Sequence, residues 1–108
     1  MKKILCIHYI YLHTNLLILE VTLVPKVTIY STATCPYCIR VKQLLERKGL
    51  EYKEIRVDTD PKQMNAMLKL SNRRTVPQIF VGDYHVGGYN DLAELDAEGD
   101  LDILLSKV

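Results

Sequence analysis

The stretch Thr34-Cys35-Pro36-Tyr37-Cys38 decides the fold of this chain, because a predicted strand leads into it and a predicted helix leads out of it. Pro36 suits the first position of a helix, where its missing N–H costs nothing, so Cys35 is the predicted N-cap. The Cys35 sulfur would then face free backbone N–H groups and the positive end of the helix dipole, which stabilise a thiolate. Cys38 would lie one turn inside the helix. The motif therefore predicts that Cys35 attacks a disulfide and that Cys38 resolves the product.

A Cys-x-x-Cys pair is also half of many zinc sites, so this alternative has to be weighed. A structural zinc ion needs four ligands, and the second pair is usually Cys or His. The chain has one further cysteine, Cys6, so no second Cys-x-x-Cys pair accompanies the motif. Because a strand precedes the motif and a helix follows it, the redox interpretation is favoured and no metal is expected.

Size and charge restrict the class of protein. The chain has 108 residues, enough for one compact domain. Of its 14 Lys and Arg and 13 Asp and Glu residues, only Lys2, Lys3 and Glu20 precede residue 25, so residues 25–108 are neutral. Neutrality gives no electrostatic reason to expect binding to nucleic acid or to an anionic membrane. Because three cysteines, two in one motif, make no disulfide framework, we interpret the pair as a working dithiol in a reducing, cytoplasmic compartment.

Residues 1–24 form an apolar N-terminal extension that differs from the rest of the chain. Its two lysines followed by an apolar run resemble a signal peptide or an anchor, but Glu20 and two histidines would be costly inside a bilayer. An extra strand or helix docked on the domain is a second interpretation, and the Ile, Val, Tyr and Thr content favours a strand. The third is a start-site artefact, since the domain pattern begins cleanly at Val24-Pro25-Lys26. We expect an artefact ahead of a signal or anchor segment, and membrane association only if the anchor is real.

Hydrophobic patterns along residues 25–108 predict the element order β-α-β-α-β-β-α. Strands are predicted at 27–31, 52–57, 78–81 and 84–86, and helices at 36–48, from 61 to about 71 and from 91 onward. The first two strands and the helix between them form a βαβ unit, so these strands should be parallel. The predicted fold class is α/β, with a four-stranded mixed sheet and helices on both faces.

The sequence also predicts where helices begin and which side chains they bury. Asp60 should cap the second helix, whose buried face is predicted to consist of Met64, Met67, Leu68 and Leu70. Asp91, with Glu94 three residues later, is interpreted as the N-cap of a capping box. Asp100 is predicted to cap a final turn or two. His85 is expected to be a surface or cross-strand residue.

Three separate stretches resemble the dithiol glutaredoxins, and the small bacterial members in particular. They are Cys35-Pro36-Tyr37-Cys38 after a strand, Thr75-Val76-Pro77 before a strand, and Gly87-Gly88-Tyr89-Asn90-Asp91-Leu92 after a hairpin. The resemblance covers residues 25–108, the predicted glutaredoxin domain, and leaves out residues 1–24. It implies a thioredoxin fold and the reduction of disulfides with electrons from glutathione.

The resemblance also implies roles for individual residues. Cys35 would be the nucleophile, Cys38 the resolving thiol, and the two would form the redox disulfide. Glutathione would be bound by Tyr37, Arg73, Thr75, Val76, Pro77, Asn90 and Asp91.

Within that set, each part of the tripeptide would have its own partners. Val76 would pair its backbone with the cysteine of glutathione, next to a cis peptide bond to Pro77. Asn90 and Asp91 would bind the γ-glutamyl end, and the Arg73 guanidinium would bind the glycyl carboxylate.

The chain departs from the family pattern at two positions. Many members carry a lysine where this chain has Thr32, so Arg73 and the helix dipole would contribute more to holding the glycyl carboxylate and the thiolate. Position 89 is Tyr89, where some bacterial relatives have a third cysteine.

The implied reaction is thiol–disulfide exchange that contributes to cell redox homeostasis. Cys35 would take glutathione from a mixed disulfide and a second glutathione would release it, whereas Cys38 would resolve mixed disulfides with proteins. Glutathione would be the co-substrate, the partners would be glutathionylated or disulfide-containing proteins, and the chain would be a monomer. Two alternatives remain open: a redoxin reduced directly by a flavoprotein reductase, and an iron–sulfur scaffold in which two monomers bridge a cluster through Cys35 and glutathione.

Overall fold

The structure, a computed structural model, describes residues 25–108. The predictions made for residues 1–24 lie outside the described residues. The elements of the described part are β1 (Val27–Ser31), α1 (Pro36–Arg47), β2 (Tyr52–Arg56), α2 (Pro61–Ser71), β3 (Gln78–Val81), β4 (Tyr84–Gly87), α3 (Tyr89–Ala97) and α4 (Asp100–Ser106). The predicted order is confirmed, and the final turns form the short helix α4. None of these helices has the length and apolarity that crossing a bilayer requires.

The four strands form one mixed sheet in the order β2-β1-β3-β4. β1 and β2 are parallel, as the βαβ pattern predicts, whereas β3 runs antiparallel to both β1 and β4. All four residues of β3 are buried, which explains why this strand is an almost continuous apolar run. The register places Gln78 opposite Tyr30 and His85 opposite Phe80, which brings the two polar side chains of β3 and β4 to the same part of the sheet.

Helices cover both faces of the sheet, as predicted. On one face, α1, α3 and α4 pack on the strands through Val41, Leu44, Leu45, Leu92 and Leu101. On the other face, Met67 of α2 is fully buried against Tyr30, Val57 and Phe80. Burying each such side chain contributes about 1.5–3 kcal/mol relative to leaving it in water. The cysteine motif lies between β1 and α1, and both of these elements contribute side chains to the first of the two clusters.

The predicted buried face of α2 is wrong at Leu70, whose side chain is 60% exposed. Ser71 takes the fourth place on that face, because it follows Met67 by four residues and therefore lies above it on the helix. Its hydroxyl donates to the Met67 carbonyl oxygen at 2.7 Å and accepts from the Arg73 N–H at 3.0 Å. This buried serine therefore forms hydrogen bonds with two backbone groups at the end of α2, and these bonds fix the direction of the chain toward Arg73.

Two helix starts also differ from the prediction. Gly88, not Asp91, is the N-cap of α3, and Asp91 is the third helical residue, whose carboxylate accepts the Gly88 N–H at 2.9 Å. A carboxylate in the first turn of a helix lies near the positive end of the helix dipole. An aspartate is therefore stabilised at this position, just as it is at the N-cap. Likewise Gly99, with φ 81°, precedes Asp100, which is the first residue of α4.

Candidate functional site

The cysteine pair lies at the junction of β1 and α1. Cys35 is the N-cap of α1, with φ −100° and ψ 110°, and Pro36 is the first helical residue, as predicted. The Cys35 Sγ accepts a hydrogen bond from the backbone N–H of Cys38 at 3.1 Å. Both cysteines are free thiols in this structure. The first turn of the helix therefore directs a backbone donor at the Cys35 sulfur, where it stabilises negative charge.

The two thiols differ in burial and in chemistry. Cys38 is 1% exposed, and burial raises the pKa of its thiol well above the ordinary value, with the hydrogen bond to Cys35 acting in the same direction and the backbone of Thr32 and the charge of Lys42 opposing it. Cys35 is 9% exposed, which is more enclosed than the predicted cap position suggested. Its Sγ lies 3.8 Å from the Val76 carbonyl oxygen, so the loop before β3 packs over it. Of the two sulfur-bearing residues, Cys35 is therefore the less buried.

An open groove of about 240 Å³ lies beside the cysteine motif. Each of the seven residues that the resemblance assigns to glutathione contributes to its lining, although they come from the start of α1, the loop before β3 and the start of α3. The peptide bond between Val76 and Pro77 is cis, as the resemblance implies. The fold thus brings together in the groove residues that are up to 54 positions apart in the sequence, from Tyr37 to Asp91.

One wall of the groove is the first turn of α3, and a glycine allows it to form. Gly87 has φ +118°, and a Cβ at this position would lie 2.3 Å from Asp91 Oδ2. The chain therefore turns closely around the carboxylate, which a side chain at position 87 would displace. Asn90 is the second residue of α3. Together with Gly88 and Asp91 it lines the groove, so the N-terminus of α3 faces the groove.

Arg73 and Asp91 face each other at this wall. Arg73 Nη1 lies 3.8 Å from Asp91 Oδ2, and both side chains are 51% exposed. The resemblance gives these residues opposite ends of glutathione, whereas the structure brings them together. An exposed pair of this kind contributes only about 0–1 kcal/mol, so a charged ligand can replace it at little cost. The role of each residue toward glutathione stays a prediction.

The other wall is aromatic. The rings of Tyr37 and Tyr89 stack with centroids 5.9 Å apart, and the guanidinium carbon of Arg40 lies 5.1 Å from the centroid of the Tyr37 ring. The Tyr37 side chain is still 50% exposed, so it presents a flat apolar surface to a ligand. The sequence pattern included Tyr89 in the Gly87–Leu92 stretch and as a departure from cysteine, but it did not predict this contact between two helices.

Sequence reasoning also missed Gln78, a groove residue that is 1% exposed. Its Nε2 donates to the Thr75 carbonyl oxygen at 3.0 Å and to the Thr75 hydroxyl at 3.2 Å. A polar residue at the start of an otherwise apolar strand was the only available signal. The prediction for His85 is confirmed, because it pairs with Phe80 across β3 and β4 and their rings stack at 4.8 Å.

Between Pro25 and Val108, no three His, Cys, Asp or Glu side chains are grouped so that they could hold a metal ion.

The fold and site together define a class of protein. A dithiol at the N-terminus of a helix, next to a cis-proline loop and a groove on a mixed four-stranded sheet, is the arrangement of a thioredoxin-fold thiol–disulfide oxidoreductase.

Comparison with known proteins agrees and is more specific. The glutaredoxin family model matches residues 27–86. The chain is 51% identical over 82 residues to a glutaredoxin of Pseudomonas aeruginosa, which covers 76% of this chain and 98% of that relative. The solution structure of a glutaredoxin from Brucella melitensis superposes with a TM-score of 0.66 at 49% identity, covering 75% of this chain and 88% of that one. The crystal structure of a buckwheat glutaredoxin–glutathione complex gives a TM-score of 0.70 at 31% identity, covering 77% and 78%.

This chain belongs to the glutaredoxin family. It is similar to the small bacterial glutaredoxins, and the alignment covers almost the full length of the Pseudomonas relative.

Proposed function

We propose that this protein reduces glutathione mixed disulfides and protein disulfides through Cys35 and Cys38, with glutathione as the reductant. The observation that carries the proposal is the position of the groove, whose Val76 wall lies 3.8 Å from the Cys35 sulfur. A peptide ligand in the groove would therefore present its own sulfur to Cys35. The similar buckwheat protein was solved as a complex with glutathione, which supports the choice of ligand.

The groove suits an extended tripeptide with charged ends. The backbone of Val76 can pair with an extended peptide, which supplies affinity without reading a side chain. The N-terminus of α3 favours a carboxylate, and the Asp91 carboxylate favours an amine, so this end of the groove matches the zwitterionic γ-glutamyl group. The Tyr37 ring packs against the apolar part of the ligand. Arg73 exchanges its weak contact with Asp91 for the glycyl carboxylate by rotating its exposed side chain.

The reaction proceeds by two thiol–disulfide exchanges. The Cys35 thiolate attacks the glutathione sulfur of a mixed disulfide, the S–S bond breaks, and the protein substrate leaves as a thiolate that takes up a proton. A second glutathione thiolate then attacks the glutathione bound to Cys35, which releases glutathione disulfide and regenerates the Cys35 thiolate. The backbone N–H of Cys38 stabilises negative charge on the Cys35 sulfur at the beginning and the end of this cycle.

Cys38 serves the second kind of substrate. When the substrate is a disulfide within a protein, the mixed disulfide on Cys35 is resolved by the Cys38 sulfur, and Cys35 and Cys38 form a disulfide that glutathione reduces. Because burial raises the pKa of the Cys38 thiol, Cys38 is protonated in the free protein and does not compete with Cys35 for the substrate. In the mixed disulfide, the Cys38 proton passes to the substrate thiolate that leaves as the Cys38 sulfur attacks Cys35.

The remaining parts of the proposal follow from the chemistry. A dithiol that works in its reduced form needs a pool of reduced glutathione, so we propose that the protein is a cytoplasmic monomer whose partners are glutathionylated or disulfide-containing proteins. Neither alternative function gains support from the glutaredoxin relatives and the groove.

A turnover assay with two reductants tests the proposal. A glutathionylated peptide is supplied with glutathione and glutathione reductase, or with a flavoprotein thioredoxin reductase alone. Turnover in the first mixture and none in the second is expected, with Cys35→Ser as the inactive control. Turnover with the flavoprotein alone would contradict glutathione dependence. Visible absorption and labile sulfide in anaerobically purified protein would instead support the iron–sulfur alternative.

A further inference from the structure

A chain of hydrogen bonds joins strand β4 to the groove, and the reaction above makes no use of it. His85 Nε2 lies 2.7 Å from Gln78 Oε1. The nitrogen of the same Gln78 amide donates to the carbonyl oxygen and the hydroxyl of Thr75, at 3.0 Å and 3.2 Å. Gln78 is 1% exposed, so these protein groups take the place of water around its amide.

The direction of each of these hydrogen bonds follows from which atoms can donate and which can only accept. The Thr75 carbonyl oxygen can only accept, so the Gln78 nitrogen faces Thr75 and the Gln78 oxygen faces His85. That oxygen can also only accept, so His85 Nε2 must carry a proton. His85 therefore donates to Gln78, and Gln78 donates to Thr75 in the groove. His85 is the donor at the end remote from the groove.

The position of the His85 ring is itself determined by the sheet. His85 is the cross-strand partner of Phe80, and their rings stack at 4.8 Å with an interplanar angle of 29°. Stacking on a buried phenylalanine holds the plane of the imidazole, so Nε2 remains directed at Gln78.

We propose that His85 is a positioning residue for the glutathione groove: through Gln78 it holds Thr75, and with it the adjoining Val76 backbone that lies over Cys35. This inference rests on the proposed function, because it concerns how the same groove receives its ligand. Thr75 lines the groove, its hydroxyl oxygen accepts from Gln78, and among residues 25–108 its hydroxyl hydrogen has no acceptor, so it can be donated to a ligand oxygen. Without the His85 donor, the buried Gln78 oxygen loses its hydrogen-bond partner, and the amide is held only by its two bonds to Thr75.

The first test separates binding from chemistry. His85→Phe keeps a ring that can stack on Phe80 but removes the donor, and His85→Gln restores a donor of similar reach. In His85→Phe, the KM for glutathionylated peptide should rise roughly three- to tenfold, the effect of losing one hydrogen bond, while kcat and the alkylation rate of Cys35 by iodoacetamide change less than about twofold. His85→Gln should return the KM to near the wild-type value. Tyr84→Phe, an exposed neighbour on the same strand, is the matched control and should change nothing.

The second test separates positioning from stability. In the double variant His85→Phe/Gln78→Met, both partners become apolar, so no polar atom of the pair is left unsatisfied and the Tm should recover. If the hydrogen bonds from His85 through Gln78 to Thr75 position the groove, the KM stays raised in this stable protein. If the KM returns to the wild-type value together with the Tm, the role of His85 is structural and the inference is overturned. If His85→Phe alone does not fold, the KM of the same double variant distinguishes a positioning role from a structural one.

A third measurement does not involve glutathione. The ¹⁵N shifts of the His85 ring in the wild-type protein near pH 7.5 should identify the tautomer protonated at Nε2, and a ring protonated only at Nδ1 would overturn the inference.

Wild-type protein that does not use glutathione would overturn the proposed function as well. Normal wild-type turnover with an unchanged KM in His85→Phe would overturn the His85 assignment alone.

Discussion

The backbone N–H of Cys38 donates to the sulfur of Cys35 across 3.1 Å, so the residue proposed to carry the resolving thiol also stabilises negative charge on the sulfur proposed to attack. The two contributions come from different atoms of Cys38. The donor belongs to the backbone and survives any substitution at this position except proline, whereas the proposed resolving chemistry belongs to the side chain.

This separation leads to the first prediction. Cys38→Ser should keep the reduction of glutathione mixed disulfides and lose the reduction of protein disulfides, because the N–H to Cys35 remains and the second sulfur is gone. Cys35→Ser should abolish both activities. The measurement compares turnover of a glutathionylated peptide with turnover of an intramolecular protein disulfide. Complete loss of peptide turnover in Cys38→Ser would show that the roles of the two cysteines are assigned wrongly.

The second prediction concerns the charge of Asp91. Asp91→Ala should weaken glutathione use by about 1–3 kcal/mol, the range for losing a hydrogen bond to a charged group, and should barely change the alkylation rate of Cys35 by iodoacetamide. Asp91→Asn is the sharper variant, since its side-chain oxygen can still accept the Gly88 N–H that caps α3. A KM raised in both variants supports a role in binding. If only Asp91→Ala is impaired, Asp91 acts through the helix cap rather than through its charge.

The third prediction compares two glycines in left-handed conformations. Gly87→Ala and Gly49→Ala should share a backbone cost of about 1–2 kcal/mol, because both have φ between +70° and +120°. Only at Gly87 would the new methyl group also meet the Asp91 carboxylate, at 2.3 Å, whereas nothing lies within 4 Å at Gly49. Gly87→Ala should therefore lose more stability and also raise the KM for glutathione.

Thermal unfolding and turnover of both glycine variants check this prediction. Equal losses of Tm with an unchanged KM in both proteins would mean that the carboxylate moves aside freely and that Gly87 is needed only for its backbone conformation.

The fourth prediction is a pH dependence of stability. Burial lowers the pKa of His85 below its usual 6.5, the charge of Arg73 acts in the same direction, and Asp91 opposes them. The folded state therefore binds this proton less readily than the unfolded state, so the free energy of unfolding should rise with pH below about 6.5 and level off above it. Subtracting the curve of His85→Gln, which cannot titrate, isolates this contribution. A difference between the two curves that falls as the pH rises from 5 to 7 would have the wrong sign.

The fifth prediction concerns the division of the chain at Pro25. We propose that residues 25–108 with an added methionine fold and work without residues 1–24, because residues of the described part, between 27 and 105, supply two hydrophobic clusters and the lining of the groove. Turnover and Tm should match those of the full chain. A domain of this size shifts by about 4–8 °C for each kcal/mol, so a fall of more than about 10 °C would show that residues 1–24 are part of the folded core.

Much of the fold could be predicted from the sequence because its signals are local. Pro36 and Pro61 each mark the first residue of a helix, and Cys35 and Asp60 cap these helices as expected. The apolar run of β3 and the turn at Gly82-Asp83 identify a central strand and its hairpin partner. Errors arose where a local pattern allows two solutions, as at Asp91, where an aspartate can cap a helix or lie in its first turn.

By itself, the sequence determined the order of elements, the attacking and resolving roles predicted for Cys35 and Cys38, and the family resemblance that named the groove residues, since all of these depend on neighbouring residues or on short motifs. Only the tertiary structure decided that Arg73 meets Asp91, that Tyr37 stacks on Tyr89, and that His85 reaches Thr75 through Gln78. These contacts join residues on different elements, and their existence depends on strand register and on which faces the helices turn to one another. No periodicity along the chain encodes such distances, because they are set by how the two cores pack around the sheet.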